Sequence, residues 1–143
     1  MTDIYTFTCE MPIVAKERHR VSIVRSKSSP TAIRAHMYTP STTKAFEEEL
    51  KLRFIRFMRH HEFPIAPKAP IELSLAFQFA SGSNKGKTSH HLKKPDCDNL
   101  AKSVLDALNK VLYWDDSYVT NLHVSKSFNE INKDKIIIRF KYL

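Results

Sequence analysis

The order of local patterns along this 143-residue chain predicts an α+β fold: a small two-layer domain with a mixed β-sheet and two main helices. Three observations lead there. Ile71, Leu73, Leu75, Phe77 and Phe79 alternate with Glu72, Ser74, Ala76 and Gln78, and a period of two makes a strand with one buried face. Phe46, Leu50, Phe54, Phe57 and His61 recur near the helical period. Strand-like segments gather at both ends of the chain, where neighbours can pair antiparallel without an intervening helix. The length suits one domain, residues 1–143, and an apolar fraction of 42% supports a real core.

The elements follow in order. Residues 4–14 and 20–25 carry alternating or β-branched content and read as two early strands, with the basic knot Lys16-Glu17-Arg18-His19-Arg20 between them. Ser26 to Pro30 is a polar turn or mobile loop, and Ala32 to Tyr38 returns as a short strand. Tyr38-Thr39-Pro40-Ser41 opens a helix, because proline sets the bend and Ser41 or Thr42 can accept the first free N–H groups. Glu47, Glu48 and Glu49 lie near its positive end, Arg56, Arg59, His60 and His61 near the other, and Pro64 closes it. After the strand at Ile71 comes a polar, basic stretch from Ser81 to Lys94. Asn99 to Leu112 reads as a helix with Leu100, Val104, Leu108, Val111 and Leu112 on one side and Lys102, Asp106 and Asn109 on the other. Tyr118 to Phe128 and Lys135 to Tyr142 are the final strands, separated by the polar turn Asn129 to Asp134.

Lys and Arg number 23 against 15 Asp and Glu, a net charge of +8, and this balance calls for an anionic partner such as nucleic acid. Apolar runs such as Ile136-Ile137-Ile138 are far too short to span a bilayer. Met1 to Met11 shows no charged-then-apolar secretory pattern, and two cysteines make a poor disulfide framework, so the expected setting is a reduced cytoplasm with no membrane partner. Two cysteines outside any CxxC pair also argue against a structural zinc site. Gly82-Ser83-Asn84-Lys85-Gly86-Lys87-Thr88 has three residues between its glycines where a P-loop needs four, and no nucleotide cofactor is expected.

The window Lys94-Pro95-Asp96-Cys97-Asp98-Asn99-Leu100-Ala101-Lys102 carries the most chemistry. In an extended segment the side chains of Asp96 and Asp98 point the same way, and two ionised carboxylates side by side repel unless a cation intervenes. Oxygen ligands suit Mg²⁺ or Mn²⁺. A helix N-cap at Asp98 and a turn at Asp96 would explain the same residues more plainly. Three features favour the metal reading. Lys102 lies one helical turn after Asp98 and can stabilise developing charge. Trp114-Asp115-Asp116-Ser117 brings a second acidic pair. That pair starts about 20 Å along the helix and joins the first only if the next strand runs back. The loop ahead of Asp96 holds Lys85, Lys87, His90, His91, Lys93 and Lys94 with no acid, as binding a phosphodiester backbone requires. Adjacent histidines point apart, so His60-His61 reads as a helix end and His90-His91 as DNA-facing. Tyr113 and Trp114 read as core.

These residues resemble the RusA-like endodeoxyribonucleases, resolvases of Holliday junctions. The resemblance lies in Lys94-Pro95-Asp96-x-Asp98-Asn99-Leu100-x-Lys102, in Leu105-Asp106-Ala107-Leu108-Asn109, and in Trp114-Asp115-Asp116-Ser117. Lys16-x-Arg18-x-Arg20 and Tyr38-Thr39-Pro40 ahead of the long helix extend it to most of the chain. It implies a RusA-like fold and a symmetric homodimer that binds four-way DNA junctions and makes paired nicks with Mg²⁺ or Mn²⁺. The metal-binding carboxylates fall on Asp96, Asp98 and Asp116, with Asp115 as the alternative to Asp116, and the active-site lysine falls on Lys102. Cys97 stands where many relatives have an aliphatic residue. Lys16, Arg18, Arg20, Lys85, Lys87, Lys93 and Lys94 are the candidate DNA contacts. The expected products carry 5′-phosphate and 3′-hydroxyl ends. A non-catalytic basic nucleic-acid-binding module, or a metal-dependent nuclease acting on other branched DNA or RNA, are the readings that compete.

Overall fold

The computed structural model describes residues 3–16, 20–25, 33–38, 41–82 and 90–143. Its elements run β1 (Tyr5–Glu10), β2 (Arg20–Arg25), β3 (Ile33–Tyr38), α1 (Ser41–His60), β4 (Ile71–Ala80), α2 (Cys97–Leu108), β5 (Val119–Asn129) and β6 (Lys135–Tyr142), with a 3-10 turn at Asp116–Tyr118 before β5. One sheet has the strand order β1-β6-β4-β5, while β2 and β3 pair separately as an antiparallel ribbon. β6 pairs antiparallel with both β1 and β4, and β4 pairs parallel with β5, so the sheet is mixed. The fold is the expected α+β class with two main helices.

The two final strands do not pair with each other. β4 lies between them, because its Ile71, Leu73, Leu75 and Phe77 are all fully buried and demand a central position. From β4 the chain crosses through α2 to reach β5, the connection that parallel neighbours need. β6 then returns on the other side of β4 and places Ile136, Ile138, Phe140 and Tyr142 on the same buried face.

That face meets the apolar stripes of both helices in one core. On α1 the buried residues are Thr43, Phe46, Leu50, Phe54 and Met58, a spacing of three or four throughout. Phe7, Phe54, Phe57, Phe63 and Phe140 form an aromatic cluster between α1 and the β1–β6 edge, with Phe7 and Phe54 centred 4.9 Å apart. α1 ends in a Schellman motif: the Phe63 N–H donates to the Met58 carbonyl at 2.9 Å, the Glu62 N–H to the Arg59 carbonyl at 3.1 Å, and Glu62 takes the left-handed φ of 58°.

α2 starts and stops earlier than its periodicity predicts. It runs from Cys97 to Leu108, and Val111 and Leu112 are buried in the turn beyond it. Lys110 has a φ of 65°, and its N–H donates to the Tyr113 carbonyl at 2.9 Å, a tight turn that ends the helix without a glycine. Among the described residues, no helix is long and apolar enough to cross a membrane.

Candidate active site

The chain enters α2 along a segment fastened to β5. His91 is buried, its ring stacked on Phe79 at 4.1 Å and tilted against Phe128 at 4.9 Å, while His90 forms a β-bridge to Ser127. His91 is therefore a packing residue and does not face solvent or DNA as the sequence reading expects. Burial, and then the charge of Lys126, hold its imidazole below the usual histidine range. Two residues on, the Lys126 ammonium donates to the carbonyls of Lys93 at 2.7 Å and Pro95 at 3.0 Å, across a cis Lys94–Pro95 peptide bond. This β5 lysine fixes the backbone immediately before the first aspartate. Nothing local in the sequence marks it, since its partners lie more than thirty residues away.

Asp96 is the N-cap of α2. Its backbone is extended and its carbonyl accepts from Leu100 N–H at 3.1 Å, but its side chain makes no capping bond. Asp98 then falls inside the first turn. The plain reading, with Asp98 as the cap, is thus displaced by two residues, and the extended geometry that would align the two carboxylates does not extend past Asp96. Both are exposed, and neither carboxylate has a hydrogen-bond or ion-pair partner among the described residues.

Lys102 lies one turn beyond Asp98. Its ammonium sits 3.1 Å from the Asp106 carboxylate on the next turn and 3.8 Å from that of Asp116. Asp116 opens the 3-10 turn ahead of β5, so the chain does bring part of the second acidic pair back to the helix. The pair divides its work. The Asp115 carboxylate accepts from the Ser117 N–H at 3.1 Å and caps the turn, and hydrogen bonding from the Ser117 side chain, then from its N–H, holds it below the usual carboxylate range. Asp116 is the member that faces Lys102. Buried Tyr113 lies behind both and donates its hydroxyl to the Leu105 carbonyl at 2.7 Å. Burial raises its phenol far above the usual value, and the negative fields of Asp116, Asp106 and Asp115 add to the shift.

Asp106 carries a second lysine. Lys16 approaches it at 3.2 Å and Glu47 of α1 at 2.8 Å, and the Lys16 N–H donates to the Asn99 carbonyl at 3.0 Å. Burial works against the Lys16 charge, but the hydrogen bonds and fields of Glu47 and Asp106 outweigh it and hold the ammonium above its ordinary pKa. The result is an alternating chain, Glu47–Lys16–Asp106–Lys102–Asp116, that links α1, the segment after β1, α2 and the turn before β5. Lys16 is thus a brace inside this chain, its ammonium paired with Glu47 and Asp106. Asp106 is the centre of this charge chain, and the sequence places it on the polar side of the helix without a task; its spacing of four from Lys102 is the available signal.

The remaining candidates are scattered. Lys93 and Lys94 are exposed at the approach to Asp96. Arg20 opens β2 opposite Tyr38, while Arg18, Lys85 and Lys87 lie outside the described residues. Tyr113 is core as expected, but Trp114 is 44% exposed. Among the described residues, no three His, Cys, Asp or Glu side chains form a group that could hold a metal ion by themselves. The donors fit a hard divalent cation in kind: two carboxylates without partners, and a third whose nearest recorded counter-charge is a single lysine at 3.8 Å.

The chain is 30% identical to "Uncharacterized protein YqaN" of Bacillus subtilis (strain 168) over 148 aligned positions, covering 96% of each protein. Residues 10–140 match the family model described as Endodeoxyribonuclease RusA, a span that includes both acidic pairs, Lys102 and Asp106. With nearly all of its length accounted for by that model, this chain belongs to the RusA endodeoxyribonuclease family.

Proposed function

We propose that the protein is a Mg²⁺- or Mn²⁺-dependent, structure-selective endonuclease that resolves four-way DNA junctions by paired symmetric nicks, leaving 5′-phosphate and 3′-hydroxyl ends. The observation that carries this reading is Lys102, held one turn after Asp98 and drawn to Asp116 from a separate element. Asp96, Asp98 and Asp116 would hold the cation, which when bound supplies an activated water and neutralises the phosphate.

The protein's own groups do the rest. Lys102 presents positive charge where a phosphodiester gains negative charge on the way to its transition state. Asp106, fixed by Lys16, keeps that ammonium from swinging into solvent. Lys126 sets the position of the Asp96 backbone, and Lys93 and Lys94 supply charge for the incoming strand. Two such sites are needed to cut two strands, so the active species is a symmetric homodimer.

The test is a synthetic four-way junction incubated with Mg²⁺. The wild-type protein nicks it in paired strands, while Asp98→Asn binds the junction and leaves it whole. Nicking by Asp98→Asn at the wild-type rate would remove the acidic site from the reaction. Competition with linear duplex separates a junction resolvase from a nuclease of broader choice.

A further inference from the structure

Beside the acidic site lies a cluster that the mechanism above does not use. Trp114, two residues before Asp116, is 44% exposed, an uncommon state for the largest aromatic side chain. The Lys68 ammonium stands 4.5 Å from its ring centroid and the Lys110 ammonium 4.4 Å. Backbone bonds hold the cluster together. The Ala66 N–H donates to the Val111 carbonyl at 2.7 Å, tying the segment that carries Lys68 to the turn that carries Lys110. The Lys110 N–H donates to the Tyr113 carbonyl at 2.9 Å and so sets that lysine against the tryptophan.

Both lysines are exposed, and neither has a carboxylate within ion-pair distance among the described residues. The nearby acid, Asp115, is committed to the Ser117 N–H. Two positive charges are thus gathered on one ring, repelling each other, against the attraction of the ring quadrupole and, for Lys110, the field of Asp115. An anion placed between them relieves that repulsion. An exposed indole beside it offers a flat apolar surface to a sugar or base. A phosphodiester backbone has both parts.

We propose that Trp114, Lys68 and Lys110 form a DNA-backbone-binding site next to the acidic centre, the two ammoniums meeting phosphate and the indole ring becoming covered by the bound strand. The choice of DNA as the polyanion rests on the endonuclease reading above; the geometry of the anion site does not.

Trp114 is the single tryptophan of the chain, so its emission reports this site alone. The wild-type protein is titrated with an unlabelled four-way junction in the presence of a chelator, so that no strand is cut. Saturation should change Trp114 emission and protect it from acrylamide, a neutral quencher. In the double variant Lys68→Gln/Lys110→Gln, junction binding should weaken, and the slope of log affinity against log salt should become shallower by about 1.8, about 0.9 for each lost phosphate contact. Quenching of Trp114 that stays the same at saturation would overturn the proposal, as would a double variant with wild-type affinity and salt slope. The two readings fail separately. Junction binding that covers Trp114 without nicking when Mg²⁺ is added would sink the nuclease and keep this site. Normal nicking with an uncovered Trp114 would do the reverse.

Discussion

At the scale of single residues, the centre of the site is organised by Lys16, Asp106 and Lys102, charges with two partners each. Lys102 and Asp106 have side-chain exposures of 53% and 25%, and such solvent-accessible pairs contribute only about 0–1 kcal/mol to stability. Their value is in direction. Asp106 is held from one side by Lys16 and holds Lys102 from the other, so Asp106→Asn leaves the fold intact and lets the Lys102 ammonium wander. We expect single-turnover nicking of the junction to fall on the order of 10²-fold, the cost of a misplaced group, with junction affinity close to wild type in a gel-shift assay. An unchanged nicking rate would mean that Lys102 needs no brace. His91 shows the opposite use of a titratable group, since burial between Phe79 and Phe128 disfavours its charged form. Below its ordinary pKa of 6.5 the unfolded chain takes a proton there that the folded chain resists. The stability it contributes is full above pH 6.5 and declines as the pH falls beneath that value. His91→Phe keeps an aromatic ring and removes the proton, so its urea midpoint should drop less than the wild-type midpoint between pH 7.5 and pH 5.0. Equal drops in the two proteins would show that other groups set the acid sensitivity.

At the scale of elements, what the sequence made legible was whatever depended on near neighbours. The α1 stripe of Phe46, Leu50 and Phe54 and the alternation of β4 follow from periodicity, and both stand in the structure. α2 starts two residues before Asn99 because Asp96 and Asp98 are both good N-caps, and only the backbone bond from Leu100 to Asp96 decides between them. Its end falls short of the apolar periodicity because Lys110 takes a left-handed conformation that a sequence announces only through glycine or asparagine. Asp96, Asp98 and Lys102 are visible as a spacing, whereas which of Asp115 and Asp116 lies near Lys102 depends on which one caps the 3-10 turn. Lys126, Lys16 and the order of β5 and β6 were hidden for one reason: their partners are distant in the chain. The same local logic gives a prediction at the end of α1. Glu62 occupies the left-handed position of the Schellman motif with a side chain that gains nothing recorded there, and an L-residue in that conformation costs about 1–2 kcal/mol. Glu62→Gly removes the Cβ while both capping bonds remain. Stability should rise by roughly 1 kcal/mol, read as a higher urea midpoint at constant slope. A lower midpoint would show that the Glu62 side chain has a use that its surroundings do not reveal.

At the scale of the whole molecule, the sheet has to hold its strand ends still, because the segment that reaches Asp96 leaves from the end of β4. One carboxylate does much of this. Asp134, in the turn before β6, accepts from the Ala80 N–H at 2.9 Å through one oxygen and from the Ile13 N–H at 3.0 Å through the other. It thereby joins the last residue of β4, the segment that follows β1, and the start of β6, three pieces of chain up to 121 residues apart. The turn around it is made rigid by Asn129, which accepts from the Ile131 N–H and donates to the Lys133 carbonyl. Asp134→Ala leaves two partly buried N–H groups without an acceptor, and hydrogen bonds to a charged group are worth about 1.5–3 kcal/mol each before water replaces part of the loss. The expected cost is therefore about 2–4 kcal/mol, with Asp134→Asn, which keeps one acceptor, near half of it. Hydrogen exchange distinguishes this clip from a general weakening: the amides of Ala80 and Ile13 should lose protection together while those of Leu50 and Phe54 in α1 follow only the global change. If those two amides kept their relative protection in Asp134→Ala, the β4 end would be held by its strand pairing alone, and the path from the sheet to Asp96 would not depend on this carboxylate.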